Sequence, residues 1–179
     1  MNVETFRHFF NYHFAENRKI WDSYISQLSD DQFRQTMGYS YGSVRDQIVH
    51  LMSVENTWFC GLRGAQIPEP LDSVDYDDRG LIRAYWDRVE AKMRLYLAGL
   101  RDGMLFNNPF PEGEDRDLIL WQVLLHVVNH GTDHRAQILR FLNSFGVKTT
   151  SQDYIFCVYE NLSTKFIPYR IEAANTESM

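Results

Sequence analysis

The sequence predicts an all-α fold, a four-helix bundle with a short extra C-terminal helix. Four helix-length segments repeat apolar residues at three- and four-residue spacing, and alternating strand patterns are almost absent. The linking segments are of tractable length for joining packed helices. At 179 residues, one helical-bundle domain spanning 1–179 is expected.

The first helix is expected from about Val3 to Leu28, with Phe6, Phe10, Phe14, Trp21, Ile25 and Leu28 in helical register. Ser29 to Gln32 reads as a cap and a short turn. Ser43 opens the second helix with Asp46 as a first-turn carboxylate, and Gly64 closes it after Arg63. Ala65 to Gly80 holds Pro68, Pro70 and four Asp, so it is a loop that enters the third helix near Asp77 or Asp78. That helix runs to about Arg101 on a stripe including Ile82, Tyr85, Val89, Met93 and Tyr96. After the loop or short hairpin MLFNNPFPEGED, a fourth helix is expected from near Asp115 or Asp117 to Phe145, stopped by Gly146. Ser151 to Leu162 suits a short fifth helix, and the tail Ile171 to Met179 is expected to fray.

Composition narrows the function. Hydrophobic residues are 44% and charged residues 23%, as in soluble globular chains, and the 15% aromatic content suits a large core or a binding site. The formal charge of −6 argues against a nucleic-acid binder, which needs to neutralise phosphates. Cys60 and Cys157 are too few and too far apart for a disulfide scaffold and fit a reducing compartment. The N-terminus shows no basic leader followed by an apolar stretch, and no apolar run approaches the ~20 residues of a membrane span. A cytoplasmic protein without membrane contact is expected.

Chemistry concentrates in the histidines. His126, His130 and His134 follow one another at four-residue steps in HVVNHGTDH. Projected at ~100° per residue, His130 and His134 fall inside the apolar arc of the fourth helix, and His126 falls at its edge. Two imidazoles one turn apart can reach one ion, as in HExxH helices, although Gly131 stands where that motif has Glu. His50, at the edge of the apolar arc of the second helix, can join them, because inward residues of two bundle helices meet at one level. Three imidazoles suit zinc or nickel, with manganese or iron behind them, and leave positions for water or substrate.

His13 lies mid-arc on the first helix and reads as a satisfied core histidine or a substrate-lining one. Asn17, one turn later, could orient a ligand or a metal-bound water, or tie helices together. Glu55 is too far round its helix to share an ion with His50 and suits a supporting or helix-pairing carboxylate. Asp133 projects away from the arc toward solvent, and Cys60 away from the His50 face. The chain has no GxSxG, Gly-rich phosphate loop, CxxC or paired ExxH.

Several segments, in order, resemble the DinB/YfiT-like family: NYHFAENRKIW, LSDDQF, YGSVRDQIVHLMSVENTWFCGLRG, HVVNHGTDHRAQIL and GVKTTSQDYI. In the last, Thr replaces the Pro common in that family. The resemblance implies a compact bundle, usually a homodimer, with a divalent metal on His50, His130 and His134. His126 is then an extra histidine, not an expected ligand. Members of the family include metal-dependent thiol transferases using bacillithiol or mycothiol and a mycothiol-dependent maleylpyruvate isomerase.

The expected function is a divalent-metal-dependent thiol S-transferase or hydrolase acting on a small-molecule substrate, with an exogenous thiolate or water as nucleophile. The alternative is a non-catalytic metal-binding stress-response protein. An open, solvent-reached coordination position separates the two. A metal-free interaction protein would leave the three histidines apart. A low-molecular-weight thiol would call for a basic or polar mouth, for which Arg7, Arg18, Arg45 and Arg135 are candidates. Leu118, Trp121, Leu125, Val128 and Leu139 lie outside the histidine arc and must be covered by the fifth segment, the long loop or a second subunit, with a second subunit expected for at least part of them.

Overall fold

The computed structural model describes residues 2–165, with side chains through Glu160. The described residues are helical with no strand, and they fall into two compact units divided after Thr149. The first unit holds the four long helices.

Helix α1 (Val3–Lys19) starts at Asn2, whose side chain accepts from the Thr5 backbone N–H at 3.0 Å. It does not continue as α-helix to Leu28. A π-helical turn over Ile20–Tyr24 and a 3₁₀ turn over Ile25–Gln27 follow. Ile20, Tyr24, Ile25 and Leu28 are all buried in the core across these turns. The segment expected as a mere turn forms a short helix, α2 (Asp30–Arg34), because Ser29 and Gln32 close a reciprocal capping box.

Helix α3 (Val44–Leu62) begins at Ser43 with the expected Asp46 partner, their two backbone-to-side-chain bonds being 3.1 and 3.2 Å. Gly64 ends it at φ +63°, a left-handed conformation that suits glycine. Helix α4 (Arg79–Gly99) is capped by Asp78, which accepts from the Leu81 N–H at 2.9 Å. Helix α5 (Leu120–Ser144) starts later than Asp115 or Asp117. Its start is set by Gln122, whose Oε1 accepts from the Ile119 N–H at 2.9 Å.

The core divides into two apolar clusters. One holds Phe6, Phe10, Phe14, Phe59 and Leu124 near the α4–α5 connection; the other holds Ile20, Ile48, Leu51, Trp86, Ile138 and Phe141. Between them along each helix lie buried polar residues: His13 and Asn17 on α1, Glu55 on α3, Glu90 on α4 and Arg135 on α5. A polar layer thus crosses the bundle at mid-height.

Much of the apolar stripe of α5 is covered within the chain itself. Val128 belongs to the first cluster, Leu118 and Trp121 pack against it, Leu139 packs against the second, and Leu125 remains exposed. In the second unit, α6 (Tyr154–Lys165) falls close to the expected fifth helix. The tail expected to fray, Ile171 to Met179, lies outside the described residues. No described helix is long and apolar enough to cross a membrane.

Candidate metal centre

Helices α3 and α5 bring His50, His130 and His134 together, each offering a ring nitrogen within 4.8 Å of the others. His50 Nε2 and His130 Nε2 stand 3.3 Å apart. Two nitrogens bound to a tetrahedral zinc at about 2.0–2.1 Å take a separation of about 3.3 Å. The His130 and His134 ring centroids are 4.3 Å apart, as the one-turn step along α5 dictates.

The protonation of His134 follows from its neighbours. Its Nδ1 lies 2.6 Å from Gln47 Oε1, Gln47 Nε2 donates to Gln137 Oε1 at 2.8 Å, and Gln137 Nε2 donates to Asp133 Oδ2 at 3.0 Å. A carboxylate only accepts, so each amide in the chain has one allowed orientation. His134 Nδ1 therefore carries the proton, and its Nε2 presents a lone pair to the other two rings. Asp133, expected in solvent, is exposed, and its carboxylate also anchors this chain.

Burial holds all three imidazoles below their usual range. It takes His50 down to about 4 and His130 down to about 3, with the neighbouring His134 lowering both further. Burial lowers His134 as well. The three rings are thus neutral donors at physiological pH. His130 Nδ1 is buried without a hydrogen-bond partner, and the His50 and His130 Nε2 atoms bond to each other only if one of the two carries its proton there. Three neutral imidazoles converging on one point suit a divalent cation.

Tyr41 completes the site. Its ring stacks on His50 at 3.7 Å and 17°. The tight loop before α3 places it there, with Ser40 at φ +51° and Gly42 at φ +92°. Together with Tyr41, His50 lines an open groove of about 850 Å³, bounded by α3 and the loop around Pro70–Ser73.

His13 and Asn17 do not line this groove. His13 is fully enclosed and Asn17 nearly so. Arg135 Nη1 donates to His13 Nδ1 at 2.9 Å, so His13 carries its proton on Nε2 and donates it to Glu55 Oε1 at 2.7 Å. Asn17 bridges the two ends, accepting from Arg135 at 2.9 Å and donating to Glu55 at 3.2 Å. Trp86 Nε1 donates to the other Glu55 oxygen at 2.8 Å. His13 is therefore a satisfied core histidine, and Glu55 is the helix-pairing carboxylate, tying α1 and α4 to α3. The His13 ring lies directly over Gly131, where any Cβ would overlap it. Gly131 thus occupies the Glu position of HExxH because the bundle packs closely there. His126 is exposed, with its ring against Trp58 at 5.3 Å, and stands outside the three-histidine set.

Sequence reasoning missed Gln47, Tyr41 and the buried Arg135. Arg135 carried a readable signal, lying on α5 one turn beyond Gly131 and therefore on the same inward face.

No curated protein matches the chain. The family model described as the DinB family matches residues 1–165, which span every helix from α1 to α6. The histidine block on α5 and His50 on α3 sit within that match, and the chain belongs to the DinB family.

Proposed function

We propose that this chain is a divalent-metal-dependent enzyme acting on a small molecule, as a hydrolase or a thiol S-transferase. His50, His130 and His134 hold the ion, zinc or nickel ahead of manganese or iron. The single observation in support is the convergence of three neutral imidazoles, one of which, His50, lines an open groove. A bound divalent ion supplies Lewis acidity, which lowers the pKa of a water or thiol beside it. The chain's own residues do the rest. Gln47 orients His134, Tyr41 covers one face of His50, and the groove admits substrate along α3. His13, with both nitrogens committed, takes no part in proton transfer.

A non-catalytic metal-binding stress protein is the second reading. An enclosed ion would favour it, and the open groove beside His50 favours the enzyme. A cytoplasmic homodimer belongs to the proposal on family grounds, since most of the α5 stripe is covered within the chain. Gel filtration at micromolar concentration checks the dimer.

Elemental analysis of native protein, with thermal shift on adding zinc, nickel or manganese, tests the metal site. About one ion per chain is expected, and His134→Ala should abolish it, because two imidazoles hold an ion weakly. A His134→Ala protein that keeps its metal would overturn the ligand assignment. A thermal shift by bacillithiol in the metal-loaded form alone would favour the transferase over the hydrolase.

A further inference from the structure

The groove that starts at His50 does not end there. It runs along α3 to Thr57 and Trp58, where a second pocket of about 270 Å³ opens. Thr57 and Trp58 line both, so the two share a wall. The second pocket is floored by Ile67 and Phe110 and rimmed by Glu112, Glu114 and Asp115. The path leads from the His50 imidazole, across an aromatic wall, to a carboxylate rim.

Among the described residues lining this path, Asp46, Asp72, Glu112, Glu114 and Asp115 are acidic and none is Lys or Arg. Among the described residues Glu112, Glu114 and Asp115 have no ion-pair partner, the adjacent Arg116 lying against Asp117 instead. The four arginines that could have met an anionic cofactor are engaged elsewhere. Arg7 donates to the carbonyls of Leu97, Ala98 and Leu100, and Arg18 pairs with Asp87 and Glu90. Arg45 is held by Asp46 and Asp77, and Arg135 lies in the buried polar layer.

We propose that the substrate of this site is an organic cation with an apolar body, seated on Trp58 and Phe110 with its positive group toward the Glu112–Asp115 rim. The proposal rests on the histidine set being the working end of the groove. A cleft of one charge sign concentrates the opposite charge and repels its own, most strongly at low salt. Trp58 adds an aromatic face that attracts cations, and Phe110 adds apolar area to bury.

Isothermal titration calorimetry on zinc-loaded protein with three matched probes tests this: trimethyl(3-phenylpropyl)ammonium, 3-phenylpropan-1-ol and 3-phenylpropane-1-sulfonate. The ammonium should bind at least about tenfold tighter than the sulfonate at low salt, with the gap closing as salt rises. Glu112→Gln with Glu114→Gln should shrink that gap to about threefold or less, whereas Asp22→Asn with Asp31→Asn, an equal charge change in the α1–α2 turn, should leave it intact. Equal or tighter sulfonate binding, or no binding by any probe, overturns the proposal. Metal content is read on the same samples, so a chain that loads zinc but shows no cation preference refutes this inference alone. A chain that fails to load zinc refutes the metal site instead.

Discussion

For His134, the choice that matters is which nitrogen keeps its proton. The Gln47–Gln137–Asp133 chain makes that choice from the helix surface, and Gln47 is its buried link. Gln47→Leu preserves bulk but removes the acceptor, so zinc affinity should fall about 10- to 100-fold in a competition titration. Gln47→Glu keeps the acceptor and should retain most of the affinity; equal loss in both variants would mean that Gln47 acts through packing alone. His50, His130 and His134 were legible in the sequence because helical periodicity assigns faces, and a histidine on an apolar face stands out. Gln47 was not, because a glutamine in the first turn of a helix looks solvated until its partners on another helix are known. Tyr41 was hidden differently: its place on His50 depends on left-handed backbone at Ser40 and Gly42.

The four long helices, their caps at Ser43 and Asp78, and the stops at Gly64 and Gly146 follow from local sequence, because caps and turns are chemistry within one turn. The π turn after Lys19 has no such cap to announce it. Close approach between helices was equally out of reach, and Gly131 is its clearest case. Gly131→Ala would push a methyl into the His13 ring and force α1 away from α5. Urea denaturation should show a loss of about 1–3 kcal/mol, the range for overpacking a filled core. A neutral result would mean that the His13 ring can swing aside without losing Arg135 or Glu55.

The whole molecule responds to acid through its buried imidazoles. In the unfolded chain a histidine titrates near about 6.5. In the folded chain His50 and His130 stay neutral to about 4 and about 3. Below pH 6.5 the unfolded state therefore binds more protons, so metal-free stability should fall with pH through that window and stay flat above it. Urea midpoints at pH 7.5, 6, 5 and 4 check the sign, and a midpoint that rose on acidification would contradict it. The apolar clusters at both ends of the bundle were readable from composition and period. The polar layer between them was only half readable, since His13, Asn17 and Glu55 pointed inward but Arg135 read as a candidate for the mouth of the site.

That layer acts as a key between helices. Sliding α5 by one turn against α1 would leave the Arg135 guanidinium facing the phenylalanines of one cluster, with Glu55 and His13 stranded opposite hydrocarbon. The alignment that brings His50 level with His130 and His134 is thus enforced from behind, by groups that never touch an ion. An ion at the three histidines would be a guest in a finished room and not a staple that holds the walls. Stripping metal with a chelator should leave the far-ultraviolet circular dichroism of the chain unchanged.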